Sequence, residues 1–240
     1  PAAQMKAAEA LAILSARSNE NRVAITAAQA VAPLVRLLGD GRRVKANTPQ
    51  ERAAAVLADL ARFGENKMAI AERGAQPLVA MLASDSSKAR AYAAAALGQL
   101  AAVALNKPIL VDAGAIESLV VVLAVGPPEA ATKAMSALWH LATVEANKAS
   151  MVAAGAIPYL VTLLSADMDE AREHAVAVLS MLARCQGGNK KAIVQAQGIK
   201  PLVELLTDAT ISTQRNAACA LWSLADGKEG VYDRMMVEQG

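Results

Sequence analysis

Two histidines and two cysteines are the side chains with the widest chemical repertoire in this sequence. His140, His174, Cys185 and Cys219 are suitable ligand types for zinc, but their separations match no Cys/His metal motif. The sequence also lacks a Gly-x-Ser-x-Gly motif, a phosphate-binding loop and a pattern of paired carboxylates. We therefore predict no metal, no cofactor and no catalytic residue, which leaves binding as the chemistry to look for.

Charge and composition narrow the class of partner. With 24 basic and 22 acidic side chains, the net charge of +2 is too balanced for general attraction to nucleic acids or membranes. Aromatic residues make up only 2%, so few rings are present to stack on bases. No apolar run reaches the length of a membrane span. Because Cys185 and Cys219 form no close pair, we expect a reducing compartment, the cytoplasm, with the nucleus as the alternative.

The chain repeats one pattern along its length. An Asn stands eight residues before a Gly or Gln five times, and a Leu-Val pair follows each time. The leucines of these pairs are 44, 41, 41 and 42 residues apart, at Leu34, Leu78, Leu119, Leu160 and Leu202. Such a period is typical of a solenoid of stacked helical repeats, because no single repeat can bury its apolar face alone.

Local signals divide each repeat into two short helices and one long helix. The Asn is a favoured N-cap for the first short helix, because its side-chain oxygen can accept an unpaired backbone N–H. Gly74, Gly114 and Gly155 suit the left-handed conformation that ends a helix. Prolines then favour the start of the second short helix, at Pro33, Pro77, Pro158 and Pro201. A Leu-x-x-Leu motif marks six long helices, which we predict near 1–16, 49–63, 87–103, 129–144, 169–185 and 211–226.

Three repeats depart from the regular pattern. The first full repeat has four additional residues between Leu38 and its long helix, in a stretch that contains Arg42, Arg43 and Lys45. The next repeat lacks one residue before its proline, and Gly187-Gly188 lengthens a turn later in the chain. The basic insertion could contact phosphate, but a solvated loop is the more common use of such a stretch.

Residues 147–164 read Asn-Lys-Ala-Ser-Met-Val-Ala-Ala-Gly-Ala-Ile-Pro-Tyr-Leu-Val-Thr-Leu-Leu, and a polar turn and a Leu-x-x-Leu-Ala helix follow. This stretch resembles the armadillo repeat, and the resemblance covers the whole chain. It implies an all-α fold, a right-handed α-solenoid of three-helix repeats whose long third helices line a concave groove that binds extended peptides. Five full repeats would occupy 18–62, 63–102, 103–143, 144–185 and 186–228. Partial repeats would occupy 1–17 and 229–240, as in a piece of a longer protein.

The resemblance also identifies groove positions. Importin-α, an armadillo protein, carries a groove ladder of asparagines with a Trp four residues before each of them. The Asn positions here hold Ile13, Asp59, Gln99, His140, Met181 and Ser223, and no Trp stands at the other positions. Recognition of basic nuclear signals is therefore not expected, because the tryptophans sandwich lysine stems. Trp139 and Trp222 stand beside the buried leucines, and we predict that both belong to the core.

Helical periodicity adds the residues seven before and three after each Asn position to the same face. The partner-binding surface that we predict consists of Lys6, Arg52, Asp59, Arg62, Lys88, Tyr92, Gln99, Lys133, His140, Thr143, His174, Arg184, Asn216, Ser223 and Asp226. With the neighbouring Glu129 and Glu170, the first three long helices carry four basic and one acidic side chain, and the last three carry two basic and three acidic. Either this is a solvated face with scattered charges, or it holds a ligand whose acidic part lies toward the N-terminal end.

The function that we predict is a protein-interaction module that binds an extended, partly acidic segment of a partner protein along this groove. Nucleic acid binding and a membrane span are not expected. The alternatives are the substrate-binding region of a U-box ubiquitin ligase and a structural scaffold of the axonemal kind. Truncated repeats would leave apolar faces that favour end-to-end self-association. We expect Leu11 and Leu14 to stay protected, and Met235, Met236 and Val237 to fray.

Overall fold

A computed structural model describes residues 2–185, 188–207 and 210–226, and this part of the chain contains fifteen α-helices and no strand. The chain divides into two compact units, Pro1–Leu141 and Ala142–Gly240, which we call the N-terminal and the C-terminal unit. An all-helical fold agrees with the prediction. The region predicted as the last partial repeat, with Met235, Met236 and Val237, lies outside the described residues.

The described part of the N-terminal unit contains the helices α1 to α9. Their bounds are Ala2–Arg17, Asn19–Ala27, Val31–Leu38, Pro49–Leu60, Gly64–Met81, Ser87–Ala101, Asn106–Asp112, Ala115–Val125 and Pro128–Ala142. The long helix α4 packs against both α1 and α6. The short helix α3 packs against α4, and the longer α5 packs against α3 and α6. Buried leucines and alanines fill the space between neighbouring long helices, which brings their backbones close together.

The C-terminal unit contains the helices α10 to α15 among the described residues. Their bounds are Glu145–Ala153, Ala156–Leu164, Asp169–Ala183, Asn189–Gln195, Ile199–Glu204 and Ile211–Ala225. The long helices α12 and α15 pack against each other, and α11 packs against α12. The long helices of the two units, α1, α4, α6, α9, α12 and α15, confirm the six predicted long helices, with ends that differ by no more than three residues.

Polar side chains cap the N-termini of three of the long helices. Thr48, Ser86 and Thr210 have extended backbones, and each side-chain oxygen accepts the N–H of the residue three positions later. Such caps satisfy one of the unpaired donors of the first helical turn. The polar turns between the second short helix and the long helix therefore fix where the long helices begin.

The repeated asparagine has a different task from the one predicted. In four repeats its Nδ2 donates to the carbonyl of the last Leu in the preceding long helix, at 2.9 to 3.2 Å, with the pairs Asn21–Leu14, Asn66–Leu60, Asn106–Leu100 and Asn189–Leu182. The short helix starts at the Asn or two residues before it. The side chain thus caps the C-terminus of the long helix, whose last carbonyls lack intrahelical donors.

A left-handed residue separates the two short helices in four repeats. Gly114 and Gly155 have φ of 80° and 76°, as predicted, and Gln29 and Gln197 occupy the same place with φ of 54° and 61°. A glutamine in this conformation carries a steric cost that glycine avoids. The turn is therefore imposed by the packing of the two helices that it joins, and glycine only makes it less costly.

The second full repeat lacks this turn. Gly74 lies inside one continuous helix, Gly64–Met81, which also contains Pro77. One residue fewer separates Asn66 from Leu78 than separates the matching pairs of the other repeats. No residue is left for a left-handed turn, so the two short helices merge, and the prediction of a left-handed Gly74 is wrong.

The first helix is less protected than expected. Leu14 is 40% exposed and Leu11 is half-buried, although α1 packs against α2 and α4. The expectation that both leucines stay protected is therefore wrong for Leu14. Ser15, one residue later, is fully buried and donates to Asp59 of α4. The side of α1 that carries Ser15 therefore faces α4.

None of the described helices is by itself long and apolar enough to cross a membrane. The helices α7 and α8 together have that length and composition, but they meet at an angle of 71°.

Replacement of Asn66 tests the cap on the long helix. Asn66 is buried, and its Nδ2 donates to Leu60 and, at 2.9 Å, to Thr26. We expect Asn66→Ala to lower the free energy of unfolding by about 1–3 kcal/mol, because two hydrogen bonds of a buried amide, to Leu60 and Thr26, are lost. Asn66→Asp should cost more, since a carboxylate would face the carbonyl of Leu60. Urea denaturation followed by circular dichroism measures both.

The matched control for this experiment is Asn19→Ala, which removes an exposed amide from the start of α2. It should change the stability by no more than about 0.5 kcal/mol. Equal losses for Asn66→Ala and Asn19→Ala would show that the buried amide does not hold the repeats together.

Candidate functional site

The predicted surface of the N-terminal unit comes from four long helices, and we call it the long-helix face. Its residues are Lys6, Arg52, Asp59, Arg62, Lys88, Tyr92, Gln99, Lys133 and His140. The side chains of Lys6, Arg62, Lys88 and Gln99 are exposed, and the other five are half-buried. The leucines on the opposite side of the same helices are fully buried, for example Leu57 and Leu60. Helical periodicity thus separates a packing side from a side that solvent and ligands can reach.

Arg52 lies in the first turn of α4, directly after the buried Glu51. Its side chain is half-buried, and its Nε is buried without a hydrogen-bond partner among the described residues. A buried donor without an acceptor costs free energy. The half-buried Arg52 offers an anionic ligand a charged and partly desolvated guanidinium group.

The carboxylate of Asp59 forms a hydrogen bond within the protein. Its Oδ2 accepts a hydrogen bond of 2.7 Å from the hydroxyl of Ser15, which is fully buried between α1 and α4. One carboxylate oxygen is thus committed to helix packing. The acidic side chain that the sequence places in the middle of this face is therefore also a packing contact between α1 and α4.

Tyr92 stands on α6 beside this cluster of charges. Burial raises the pKa of its phenol above the usual value, and the neighbouring Glu51 carboxylate raises it further, while Arg52 acts in the opposite direction. The phenol therefore stays protonated at neutral pH and can donate a hydrogen bond. Together with the exposed amide of Gln99, it provides neutral donors between the cations.

The predicted residues of the C-terminal unit are placed less uniformly. Thr143, Arg184 and Asp226 are exposed, and His174 and Asn216 are half-buried. Ser223 is only 4% exposed, and its hydroxyl donates to the Cys219 carbonyl at 2.8 Å, so it offers little surface to a partner. Helix α15 ends one residue before Asp226. The backbone carbonyl of Asp226 accepts a hydrogen bond of 3.2 Å from the Nζ of Lys190.

Sequence reasoning missed a small polar cluster in this unit. The thiol of Cys185 donates to Glu145 at 3.2 Å, and Lys148 forms an ion pair of 2.6 Å with the same carboxylate. The hydrogen bond from Lys148 lowers the pKa of Glu145, and burial raises the pKa of Cys185, as does its bond to Glu145. Glu145 and Cys185 are one repeat apart, a spacing that could have suggested their proximity.

The metal-ligand types do not gather in the described part of the chain. No three His, Cys, Asp or Glu side chains lie there in positions that could hold an ion. His140 instead lies against the ring of Trp139, with ring centroids 4.6 Å apart. Trp139 is half-buried, but Trp222 is 70% exposed, so the prediction that both tryptophans belong to the core is wrong for Trp222.

Comparison with known proteins places this geometry in context. A family model for the ARM repeat region of plant U-box proteins matches residues 2–240. No curated protein sequence matches the chain. A designed armadillo repeat protein is 27% identical, with a TM-score of 0.78 over 92% of both chains.

Two other solved structures concern peptide binding. Computationally designed armadillo repeat proteins for modular peptide recognition are 28% identical, with a TM-score of 0.79 over 91% of this chain and 92% of theirs. A designed armadillo repeat protein in complex with the peptide (KR)4 is 26% identical, with a TM-score of 0.75 over 91% of this chain and 92% of its own.

The environment of Tyr92 predicts a pH dependence. Because its pKa is raised in the folded chain, the folded state keeps a proton that the unfolded state releases. Stability should therefore be unaffected by this group below about pH 10 and should fall as the pH rises through the folded pKa. The difference between the ultraviolet titrations of the wild type and Tyr92→Phe gives the midpoint of Tyr92.

Replacement of Arg52 by Met should shift that midpoint further upward, because the cation favours the phenolate. A Tyr92 midpoint at or below that of a free tyrosine would contradict the environment described here.

Proposed function

The chain belongs to the family of plant U-box protein ARM repeat regions, and we propose that it binds an extended, partly acidic segment of a partner protein along the long-helix face. The armadillo scaffold is a binding fold without catalytic machinery of its own, and designed members bind peptides. Which peptide is bound depends on the side chains of the individual face. The charges of this chain therefore carry the proposal.

The main support is the charge of the first three long helices. Lys6, Arg62 and Lys88 are exposed and Arg52 is half-buried, whereas Asp59 has one oxygen bound to Ser15. An acidic segment would gain several charge-assisted hydrogen bonds here from the exposed cations. Complementary charge also speeds association by steering the approach of the ligand.

The peptide (KR)4 provides the contrast. A designed armadillo repeat protein that is 26% identical to this chain binds that basic peptide. The same peptide would meet like charges on the long-helix face. The neutral groups of Tyr92 and Gln99 have no charge preference, and we assign them the backbone of the bound segment, whose amides and carbonyls need partners.

A second function is favoured by the family match. Plant U-box proteins give this family its name, and the region would then select substrates for a ubiquitin ligase whose catalytic domain lies elsewhere. Both functions use the same binding surface, so the second adds only the fate of the partner. An in vitro ubiquitination assay with the full-length protein separates them, since a ligase modifies the bound partner and a pure scaffold does not.

The cytoplasm is the compartment that we propose. Both cysteines in the described residues are free thiols, which is typical of proteins from reducing compartments. Fractionation of cells that express the full-length protein would test this location.

Charge reversal on α4 tests the binding function. A peptide array of extended sequences with graded net charge would be probed with the wild type and with Arg52→Glu/Arg62→Glu. We expect the wild type to enrich acidic peptides and the variant to lose that enrichment, with affinities reduced by about tenfold or more, since two attractive contacts become repulsive. Binding should weaken with salt.

The control is Lys191→Glu/Lys200→Glu, which makes the same change in net charge at two exposed positions of the C-terminal unit. Its peptide preference should match that of the wild type. A wild-type preference for basic peptides, or equal binding by all three proteins, would contradict the proposal.

A further inference from the structure

The insertion between α3 and α4 is a folded loop. We call residues 39–47 the basic loop. Gly41 has φ of 72° and lies against α5, where an added Cβ would be 1.9 Å from the carbonyl oxygen of Pro77. Only glycine allows the backbone to approach this closely and to adopt this conformation. The additional residues of this repeat are therefore packed onto the neighbouring repeat.

The second half of the loop is anchored by Val44 and a buried carboxylate. Val44 is only 4% exposed, and its carbonyl accepts from the backbone N–H of Ser86 at 3.2 Å. The hydroxyl of Ser86 donates to one oxygen of Glu51, whose other oxygen accepts from the N–H of Asn47 at 3.3 Å. Glu51 is fully buried. One carboxylate thus joins the end of the loop, the start of α4 and the start of α6.

The basic side chains of this anchored loop face solvent. Arg42, Arg43 and Lys45 are exposed, and their charged groups form no ion pair or hydrogen bond with any described residue. Asp40 accepts from the backbone N–H of Arg42 at 2.9 Å, so one of its oxygens is turned toward the loop itself. Arg43 holds φ of 54°, a conformation that costs about 1 kcal/mol or more for a residue with a side chain.

The contacts of the loop place these cations beside the long-helix face. The backbone pair between Val44 and Ser86 sets the loop next to the first turn of α6, where Lys88 follows. At its other end the loop leads into α4, whose fourth residue is Arg52. Three cations of the loop and two of the long-helix face therefore share one edge of the N-terminal unit. Within residues 39–52 and 84–88, the exposed acidic side chains are those of Asp40 and Asp85.

We propose that the basic loop is a second contact site for the acidic segment of the partner protein, which it holds where that segment passes the beginnings of α4 and α6. This inference rests on the proposed function of the long-helix face. A rigid loop loses little conformational entropy on binding, so its contacts add to affinity more than those of a mobile tail would. Unpaired cations also steer an acidic ligand toward the face.

A protein segment fits this edge better than a nucleic acid. Asp40 and Asp85 interrupt the cations, which an irregular peptide tolerates more readily than a regular phosphate backbone does. Aromatic residues make up 2% of the chain, so stacking platforms for bases are scarce.

Two labelled oligo-glutamate peptides test the inference by fluorescence anisotropy. The short peptide spans only part of the long-helix face, and the long peptide extends beyond the face to the basic loop. We expect Arg42→Glu/Arg43→Glu to lower the affinity for the long peptide by about tenfold and the affinity for the short peptide by less than about threefold. The control Lys191→Glu/Lys200→Glu should stay within about twofold of the wild type for both. Arg42→Gln/Lys45→Gln removes charge without repulsion and should give a smaller loss for the long peptide.

The outcomes separate the loop from the face. If Arg52→Glu/Arg62→Glu lowers the affinity for both peptides while the loop variants lower the affinity for neither, the loop inference fails and the proposed function stands. If neither pair of reversals changes the binding of either peptide, both fail. If single-stranded DNA displaces the long peptide from the wild type but not from Arg42→Glu/Arg43→Glu, the loop contacts nucleic acid and the inference is overturned. Circular dichroism melting curves of all variants show that a lost affinity does not come from unfolding.

Discussion

An asparagine amide that caps the end of a long helix, seen at α1, α4, α6 and α12, is the contact on which the described architecture depends. The last carbonyls of a long helix lack a donor in the next helical turn, and the chain must turn sharply there to start the next short helix. The carbonyls of Leu60 and Leu100 accept a backbone N–H from the turn that follows. The asparagine side chain of the following repeat supplies a second donor, as Asn66 does for Leu60 and Asn106 for Leu100. Because this bond links two consecutive repeats, it sets where the next short helix starts relative to the helix before it. The apolar contacts of the buried leucines and alanines then act on helices whose positions are already constrained.

The two irregular repeats show how local changes are absorbed. Loss of one residue merges two short helices into α5, and the additional residues of the preceding repeat fold against that same helix through Gly41. Insertions in loops usually cost little, because closure entropy grows slowly with length. Here the insertion has specific anchors, Val44 and the Glu51 carboxylate. A loop that is fixed in this way holds its charged side chains in a defined place, whereas a loop without such anchors does not.

Internal bonds also decide which charges remain for a partner. Glu51 and Asp59 lie among the cations of α4, and their carboxylates accept hydrogen bonds from Ser86 and Ser15 respectively. The acidic groups thereby hold helices together, while the neighbouring arginines reach the surface. Two acidic groups of α4 thus have hydrogen-bond partners inside the protein, whereas Arg62 is exposed. Charge counts along a repeat therefore describe its binding surface only approximately.

The sequence by itself determined the repeat, the helix order and the ends of the long helices, because the spacing of buried leucines and the polar caps are local signals with a helical period. Of the positions that it selected on α4 and α6, Lys88 and Gln99 are exposed, while Arg52, Asp59 and Tyr92 are half-buried. Only the tertiary structure decided what Asn66 and Glu51 do, since their partners are backbone and side-chain groups brought close by folding. The same holds for the merged helix with Gly74, for the burial of Ser223 and for the exposure of Trp222. Each of these depends on how many residues the turn contains or on which neighbour covers the side chain, and neither is encoded in the residue itself.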